Sequence, residues 1–194
     1  MLTFDYIVVG GGSAGCTVAS RLSEDGKYTV ALLEAGGSHR NPLISIPFNF
    51  AFTVPKGPNN WSFETVPQPG LNGRRGYQPR GKALGGSSSI NAMVYIRGAK
   101  EDYDLWHSMG NEGWSYKDVL PFLKKAENRT NGANDFHSVG GPLSVSPPRS
   151  PNPTNDIFIK AGLECQIPFN DDFNGKTQEG IGYYELTQKN GQRC

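Results

Sequence analysis

Residues 5–34 read DYIVVGGGSAGCTVASRLSEDGKYTVALLE, and this stretch decides the fold of the amino-terminal part of the chain. Asp5 to Val9 is a short apolar run with β-branched residues, which is typical of a buried parallel strand. A cluster of three glycines ends the run, and from Ser13 to Leu22 apolar residues recur at helical spacing. Tyr28 to Leu33 predicts a second buried strand. The pattern therefore predicts an α/β fold that begins with one βαβ unit and a right-handed crossover.

The glycines at the first strand-to-helix turn have the spacing G-x-G-x-x-G of a dinucleotide-binding turn. In such a turn Gly10 permits the tight bend, Gly12 lets a pyrophosphate approach the backbone, and Gly15 lets the helix pack close to the strand. Ser13 and Ala14 open the helix, whose free N–H groups and positive end attract phosphate. The motif alone is weak, and a tight turn without a ligand is the alternative. The strand before it and the helix after it favour binding.

An acidic residue closes the second strand. Glu34 lies 19 residues after Gly15, close to the spacing of about 20 expected for the carboxylate that binds ribose hydroxyls. A carboxylate there disfavours a 2′-phosphate, which argues against NADP. We include the following Ala35 among the predicted cofactor contacts. An ordinary carboxylate at a strand end is the alternative for Glu34, and the unit alone does not separate FAD from NAD.

A second motif does separate these cofactors. Residues 80–104, RGKALGGSSSINAMVYIRGAKEDYD, resemble the first signature of the glucose–methanol–choline (GMC) oxidoreductases position by position. The segments NNWSFETVPQPGLNGR before it, and DDFNG and TQKNGQR after it, are also similar to that family. The resemblance covers essentially the whole chain and is closest to the bacterial alcohol and choline dehydrogenases. An NAD-linked dehydrogenase would leave this loop unexplained.

The resemblance implies FAD as the cofactor and adds contacts from the second motif. These further predicted FAD contacts are Leu84, Gly86, Ser87, Asn91, Ala92, Met93 and Val94. In covalently flavinylated members a histidine immediately precedes the asparagine of the motif, whereas this chain has Ile90 there. We therefore expect non-covalent FAD. For Arg80 and Lys82 two interpretations stay open, phosphate neutralisation and solvated surface charge.

The implied reaction is oxidation of an alcohol, either choline-like or another primary alcohol, to an aldehyde. Hydride passes to flavin N5, and the electrons then pass to a quinone-like or other non-oxygen acceptor. Two alternatives stay open. One is a hydroxynitrile lyase of the same fold, and the other is a non-catalytic fragment.

No catalytic residue is predicted within the chain. The family's catalytic histidine lies in the carboxyl-terminal third of its full-length members, and no position here matches it. His39, His107 and His137 are expected to be surface or structural residues without a nearby carboxylate partner in sequence. We expect the chain to be an amino-terminal portion with exposed sheet edges, an unfinished core and little turnover by itself.

The expected domains are an incomplete FAD-binding domain over residues 1–135 and the start of a substrate-binding domain over 136–194, which gives an α+β fold overall. The stretch 38–80 contains many prolines and should form a long excursion without long regular elements. Beyond it, the pattern predicts helices over residues 101–108, 115–127 and 153–164, and strands over 142–146 and 181–186.

Charge and composition limit the classes of partner that this protein is expected to bind. Nineteen basic residues against 18 acidic ones leave a net charge of +1, which gives no electrostatic basis for nucleic-acid binding. The three cysteines are far apart and lack metal-ligand spacing, so we expect reduced thiols and no metal site. No apolar run approaches the length of a membrane span. We expect a cytoplasmic protein, with peripheral membrane contact left open.

Overall fold

The computed structural model describes all 194 residues and begins with the predicted βαβ unit. Strand β1 spans Tyr6–Val9, helix α1 spans Ser13–Ser23, and strand β2 spans Val30–Leu33. The two strands pair in parallel, with Tyr6 opposite Val30 and Val9 opposite Leu33. The α/β prediction is therefore confirmed for this part of the chain, and both strands end at the glycine turns that follow them.

The proline-containing excursion holds only short elements, as expected. They are α2 Pro42–Ser45, a 3₁₀ turn Pro47–Asn49, α3 Phe50–Thr53, β3 Phe63–Glu64, a 3₁₀ turn Pro69–Leu71 and β4 Tyr77–Gln78. Strands β3 and β4 pair antiparallel.

A single buried side chain organises much of this excursion. The Asn60 amide nitrogen donates to the carbonyl oxygens of Thr53 and Val54 at 3.1 and 2.8 Å, and its oxygen accepts from the N–H groups of Ser62 and Arg80 at 2.9 and 3.0 Å. Side-chain hydrogen bonds thus replace regular backbone pairing where proline prevents it.

The second half of the chain contains the remaining long helices. They are α4 Lys100–Ser108, α5 Tyr116–Ala126 and α6 Pro153–Glu164, and the strands are β5 Glu127–Arg129, β6 Leu143–Val145, β7 Gln188–Lys189 and β8 Gln192–Arg193. Strands β5 and β6 are parallel, and β7 and β8 form a separate two-stranded sheet. The three predicted helices and the strand predicted over 142–146 are confirmed to within two residues at each end.

The strand predicted over 181–186 is wrong. Its two ends form single bridges only, Ile181 with Phe169, and Leu186 with Val94 and Ser146. The apolar residues of this segment gave the right pattern for a strand, but no continuous partner strand lies beside it, so no ladder forms.

Close contacts divide the chain into two units, one of Met1–Ala92 with Arg193 and the other of Met93–Gln192 with Cys194. This division describes packing, and the functional boundary at residues 135 and 136 stays a prediction. No side chain of β1 or β2 is fully buried, so the expectation of two buried strands is wrong: four of the eight residues are exposed, with Val9 at 82% and Leu33 at 54%, and the other four are half-buried. No helix is both long enough and apolar enough to cross a membrane.

Candidate functional site

Two glycine-containing segments meet in the first unit. The Gly85 N–H donates to the Gly11 carbonyl at 2.7 Å, and Gly12 and Gly85 form a parallel bridge. A Cβ atom on Gly86 would lie 2.8 Å from the Gly12 Cα, and Gly86 has a positive φ of +58°. The close approach therefore requires glycine at position 86, since a side chain would push the two segments apart.

The two segments border one open cleft of about 670 Å³. The cleft lies at the carboxyl ends of β1 and β2, where open α/β sheets bind their ligands. Its walls are formed by Val9, Gly10, Gly12, Leu33, Glu34, Ala35, Trp61, Phe63, Arg80, Gly81, Gly86 and Ser87. Six of the predicted cofactor contacts thus share this cleft: Gly10, Gly12, Glu34, Ala35, Gly86 and Ser87.

The amino-terminal end of α1 is suited to an anion. Gly12 occupies the N-cap position in extended backbone and offers no side-chain cap, and the first turn contains no acidic residue. The first amides of a helix have no intrahelical acceptor, so those of Ser13, Ala14 and Gly15 are left for a ligand. A phosphate would supply the acceptors and the negative charge that this helix end lacks.

The geometry of the turn explains its other two glycines. Gly10 has a φ of +96°, a left-handed conformation that suits glycine. A Cβ atom on Gly15 would collide with the Gly10 carbonyl oxygen. The helix therefore packs against the end of β1 at a distance that only glycine at position 15 allows.

Glu34 lies inside the cleft and holds the turn in place. Its two carboxylate oxygens accept hydrogen bonds from the N–H groups of Gly11 and Gly36, each at 2.7 Å. A carboxylate has about four acceptor positions, so lone pairs remain for ribose hydroxyls. The side chain therefore has a structural role that the sequence did not show, and its binding of ribose hydroxyls stays a prediction.

The other predicted contacts lie outside the walls of the cleft. Leu84 packs at Gly11, where its Cδ1 would be 3.0 Å from a Cβ built on that glycine. Asn91 and Ala92 follow the 3₁₀ turn Gly86–Ser89 and are exposed. Met93 and Val94 belong to the second unit, where Met93 is buried and accepts a hydrogen bond from the Thr187 N–H. Their contact with a flavin stays a prediction.

Sequence reasoning missed the aromatic wall of the cleft. The rings of Trp61 and Phe63 are stacked with their centroids 5.7 Å apart, and the Lys82 ammonium lies 4.4 Å from the Trp61 ring centroid. The intervening Ser62 has a left-handed φ of +53°, so regular strand alternation does not produce this stacking and no local sequence pattern signalled it. Arg80, for which two interpretations were open, lines this cleft as well.

The three histidines differ from one another in the structure. His39 and His107 are exposed, as expected, but His137 is fully buried in the second unit. Its Nδ1 lies 2.9 Å from a Glu127 carboxylate oxygen, and its Nε2 lies 3.0 Å from an Asp172 oxygen. His137 is therefore the structural kind of residue that was one of the two expectations, and its carboxylate partners lie 10 and 35 positions away, too far for a local sequence pattern to show them.

Two arginines complete this buried cluster. The Arg97 guanidinium lies 3.1 Å from the Glu127 carboxylate, and Arg129 bonds to Glu185 at 2.9 Å and lies 3.7 Å from Asp172. Both ring nitrogens of His137 face carboxylates, an arrangement that favours the imidazolium form, in which both nitrogens donate. With His137 protonated, three positive groups balance three negative ones.

The pKa values of the cluster follow from these contacts. Burial by itself would lower the pKa of His137, but hydrogen bonds and charge from Asp172 and Glu127 raise it above its ordinary value. Burial would raise the pKa values of Glu127 and Asp172, yet the bonds from His137 and the nearby arginines lower both. The cluster is thus stable in its charged form.

Comparison with known proteins identifies the family. A family model described as GMC oxidoreductase matches residues 4–194, so the chain belongs to the GMC oxidoreductases. An alcohol dehydrogenase (acceptor) of Pseudomonas putida is 50% identical over 191 residues, which are 98% of this chain and 35% of that protein. An oxygen-dependent choline dehydrogenase of Vibrio vulnificus is 46% identical over 193 residues, 98% of this chain and 34% of that protein.

Solved structures agree with this assignment. A pyridoxine 4-oxidase from Mesorbium loti superimposes with a TM-score of 0.91 at 33% identity, covering 98% of this chain and 38% of that one. An FAD-dependent oxidoreductase from Chaetomium thermophilum has a TM-score of 0.86 at 32% identity, covering 96% and 34%. The chain therefore spans about a third of the length of the relatives it matches.

Proposed function

We propose that this chain supplies the FAD-binding part of a flavoenzyme that oxidises an alcohol to an aldehyde. The observation that carries the proposal is the single cleft bordered by both glycine segments, in which Gly12 and Gly86 approach each other without side chains. The names of the related dehydrogenases favour a primary or choline-like alcohol as the substrate. A domain boundary near residue 135 and a cytoplasmic location remain part of the proposal.

The residues of the cleft fit the parts of FAD. The amides at the start of α1 and the backbone at Gly86 would bind the diphosphate, and the free lone pairs of Glu34 would accept the ribose hydroxyls. The stacked rings of Trp61 and Phe63 give the cleft an apolar wall that excludes water from the bound cofactor. When bound, FAD supplies N5 as the acceptor of the hydride from the alcohol.

The base that takes the hydroxyl proton is proposed to lie outside these 194 residues. His39 and His107 are exposed. Both ring nitrogens of the buried His137 are bonded to carboxylates, Glu127 at Nδ1 and Asp172 at Nε2, so neither is open to a substrate hydroxyl. The part of the mechanism that we assign to this chain is cofactor binding and orientation.

FAD is proposed to bind without a covalent link. Ile90 occupies the position where covalently flavinylated relatives carry histidine, and it is 2% exposed and has no nucleophilic atom. We expect acid precipitation of the protein to release all bound flavin into the supernatant. Flavin fluorescence is then measured in both fractions and on a denaturing gel. A fluorescent band that migrates with the polypeptide would contradict non-covalent binding.

The reaction class is tested by adding alcohols to the FAD-loaded protein under anaerobic conditions. Alcohol oxidation reduces the flavin, so we expect the visible absorbance to bleach with choline or another primary alcohol. A hydroxynitrile lyase, the alternative from sequence, would leave the flavin oxidised. The electron acceptor is then identified from the rate of flavin reoxidation, measured once after oxygen is readmitted and once after a quinone or dye is added. We expect reoxidation to be faster with the quinone or dye.

A further inference from the structure

Arg193 reaches a segment more than 100 residues earlier in the chain. Its Nη1 donates to the Ser88 carbonyl at 2.9 Å and to the Asn91 side-chain oxygen at 2.7 Å. Its Nη2 donates to the Asn91 carbonyl at 2.7 Å, and its Nε donates to the Ile44 carbonyl at 3.1 Å. One guanidinium therefore binds the loop after Gly86 and the end of α2 at the same time.

The backbone carbonyl oxygens that Arg193 binds lie at positions where the backbone supplies no hydrogen-bond donor to them. In the 3₁₀ turn Gly86–Ser89, the amides of Ile90 and Asn91 both donate to the Ser87 carbonyl, at 3.1 and 3.0 Å. The Ser88 carbonyl is left at the end of the turn, and Arg193 supplies its donor. Basic side chains commonly satisfy the last carbonyls of helical turns in this way.

The loop needs such support because its backbone is unusual. Gly85 and Gly86 have φ values of +96° and +58°, and Met93, two residues beyond Asn91, has a φ of +63°. Glycine permits these φ values but keeps more conformational freedom than any other residue, so hydrogen bonds from a neighbouring side chain help to fix the loop. The planar fork of arginine fixes several acceptors at once, which lysine does not.

Arg193 also lacks the ionic partner that the two buried arginines possess. Arg97 and Arg129 both pair with carboxylates, whereas no carboxylate lies within 4.0 Å of the Arg193 guanidinium. Burial lowers the pKa of Arg193 below its ordinary value. The partly buried Arg193 guanidinium therefore donates to backbone carbonyls and to the Asn91 side chain instead of pairing with a carboxylate.

We propose that Arg193 is a positioning residue for FAD, which it serves by holding Ser88 and Asn91 in the conformation that the cofactor requires. The proposal rests on the proposed function, because Gly86 is assigned there to the FAD diphosphate and the sequence predicts Ser87 and Asn91 as further FAD contacts. Arg193 acts through this loop and is not itself assigned a contact with the cofactor.

The test compares Arg193→Ala and Arg193→Lys with the wild-type protein and with Arg74→Ala. Arg74 is a matched control, since its Nε donates to the Leu71 carbonyl in the 3₁₀ turn Pro69–Leu71, away from the cleft. Amide hydrogen exchange of residues 87–92 is measured without FAD, and the dissociation constant for FAD is measured by fluorescence quenching. Thermal unfolding checks that each variant is folded.

For Arg193→Ala we expect exchange in residues 87–92 to be about tenfold faster or more, and FAD binding to be weaker by about tenfold or more. Low-millimolar guanidinium chloride should restore part of the binding, whereas sodium chloride at the same concentration should not. Arg193→Lys keeps the charge but not the fork, so it should bind FAD between the wild type and the alanine variant. If Arg193→Ala does not fold, hydrogen exchange of residues 87–92 and the dissociation constant for FAD are measured on Arg193→Lys instead, and these values test the proposal.

Two results would overturn the proposal: unchanged exchange in residues 87–92, or faster exchange with an unchanged dissociation constant. Failure of the wild-type protein to bind FAD would instead contradict the proposed function. The exchange measurement would then still report whether Arg193 orders the loop, so the two failures are distinguishable. Arg74→Ala should match the wild type in both measurements.

Discussion

Replacement of Gly12 by alanine is expected to weaken FAD binding by at least about 100-fold while leaving the protein folded. Gly12 lines the cleft, and a Cβ atom built on it meets no atom within 4 Å. Its φ of −77° is open to any residue, so alanine causes no backbone strain in the free protein. The added methyl group occupies the space into which the diphosphate must come, and the loss is therefore confined to binding.

The control for this variant is Gly70→Ala. Gly70 also has open space around a built Cβ atom, but it lies in the 3₁₀ turn Pro69–Leu71, away from the cleft. Fluorescence titration with FAD and thermal unfolding are carried out on both variants. Equal affinity for FAD in Gly12→Ala and the wild type would mean that this turn does not bind the diphosphate.

The variant Glu127→Gln is expected to lower the free energy of unfolding by about 3–5 kcal/mol. Glu127 is fully buried and faces both Arg97 and His137, so its neutralisation leaves Arg97 without a carboxylate partner and His137 with Asp172 alone. Urea unfolding at constant pH measures the change. Glu24→Gln is the matched control, because the Arg21–Glu24 pair is exposed and should contribute less than about 1 kcal/mol. Similar effects of the two variants would show that the cluster contributes little.

The same cluster predicts how stability depends on pH. Because the folded-state pKa of His137 lies above 6.5, its contribution is complete below pH 6.5 and is lost as pH rises through the folded-state pKa. The lowered pKa values of Glu127 and Asp172 act in the opposite direction, since their contribution is complete above pH 4.5 and is lost on acidification. Stability from the cluster is therefore greatest between about pH 4.5 and 6.5.

Above pH 6.5 the free energy of unfolding should fall by up to about 1.4 kcal/mol per pH unit from His137 alone. His137→Gln should remove this component of the slope, while His39→Gln and His107→Gln, which change exposed side chains, should keep it. A slope that survives in His137→Gln would show that another group is responsible.

The helices and strands that could be predicted from the sequence are those whose residue pattern lies within one short segment of the chain. The βαβ unit was recognisable because an apolar strand, a glycine turn and a helical period follow one another within 30 residues. The helices α4, α5 and α6 were also predicted, α5 from its serine cap and its apolar face. The segment 181–186 shows the limit of this approach, since an apolar run does not reveal whether a partner strand exists.

The features that could not be predicted depend on contacts between residues that are distant in sequence. The two carboxylates that bury His137 lie 10 and 35 positions away in sequence, and the acceptors of Arg193 lie 102 to 149 positions away. No local pattern encodes such pairs, because chain folding alone brings them together. The glycine spacing pointed to Gly10, Gly12 and Glu34 and the resemblance to Gly86 and Ser87, but the backbone bonds of Glu34 became visible only in the structure.

A crystal structure of the protein with FAD tests the central claim most directly. We predict that the diphosphate lies in the cleft between Gly12 and Gly86, with its oxygens on the first amides of α1 and a ribose at Glu34. Electron density for the diphosphate elsewhere, with Gly12 and Gly86 untouched, would contradict the account.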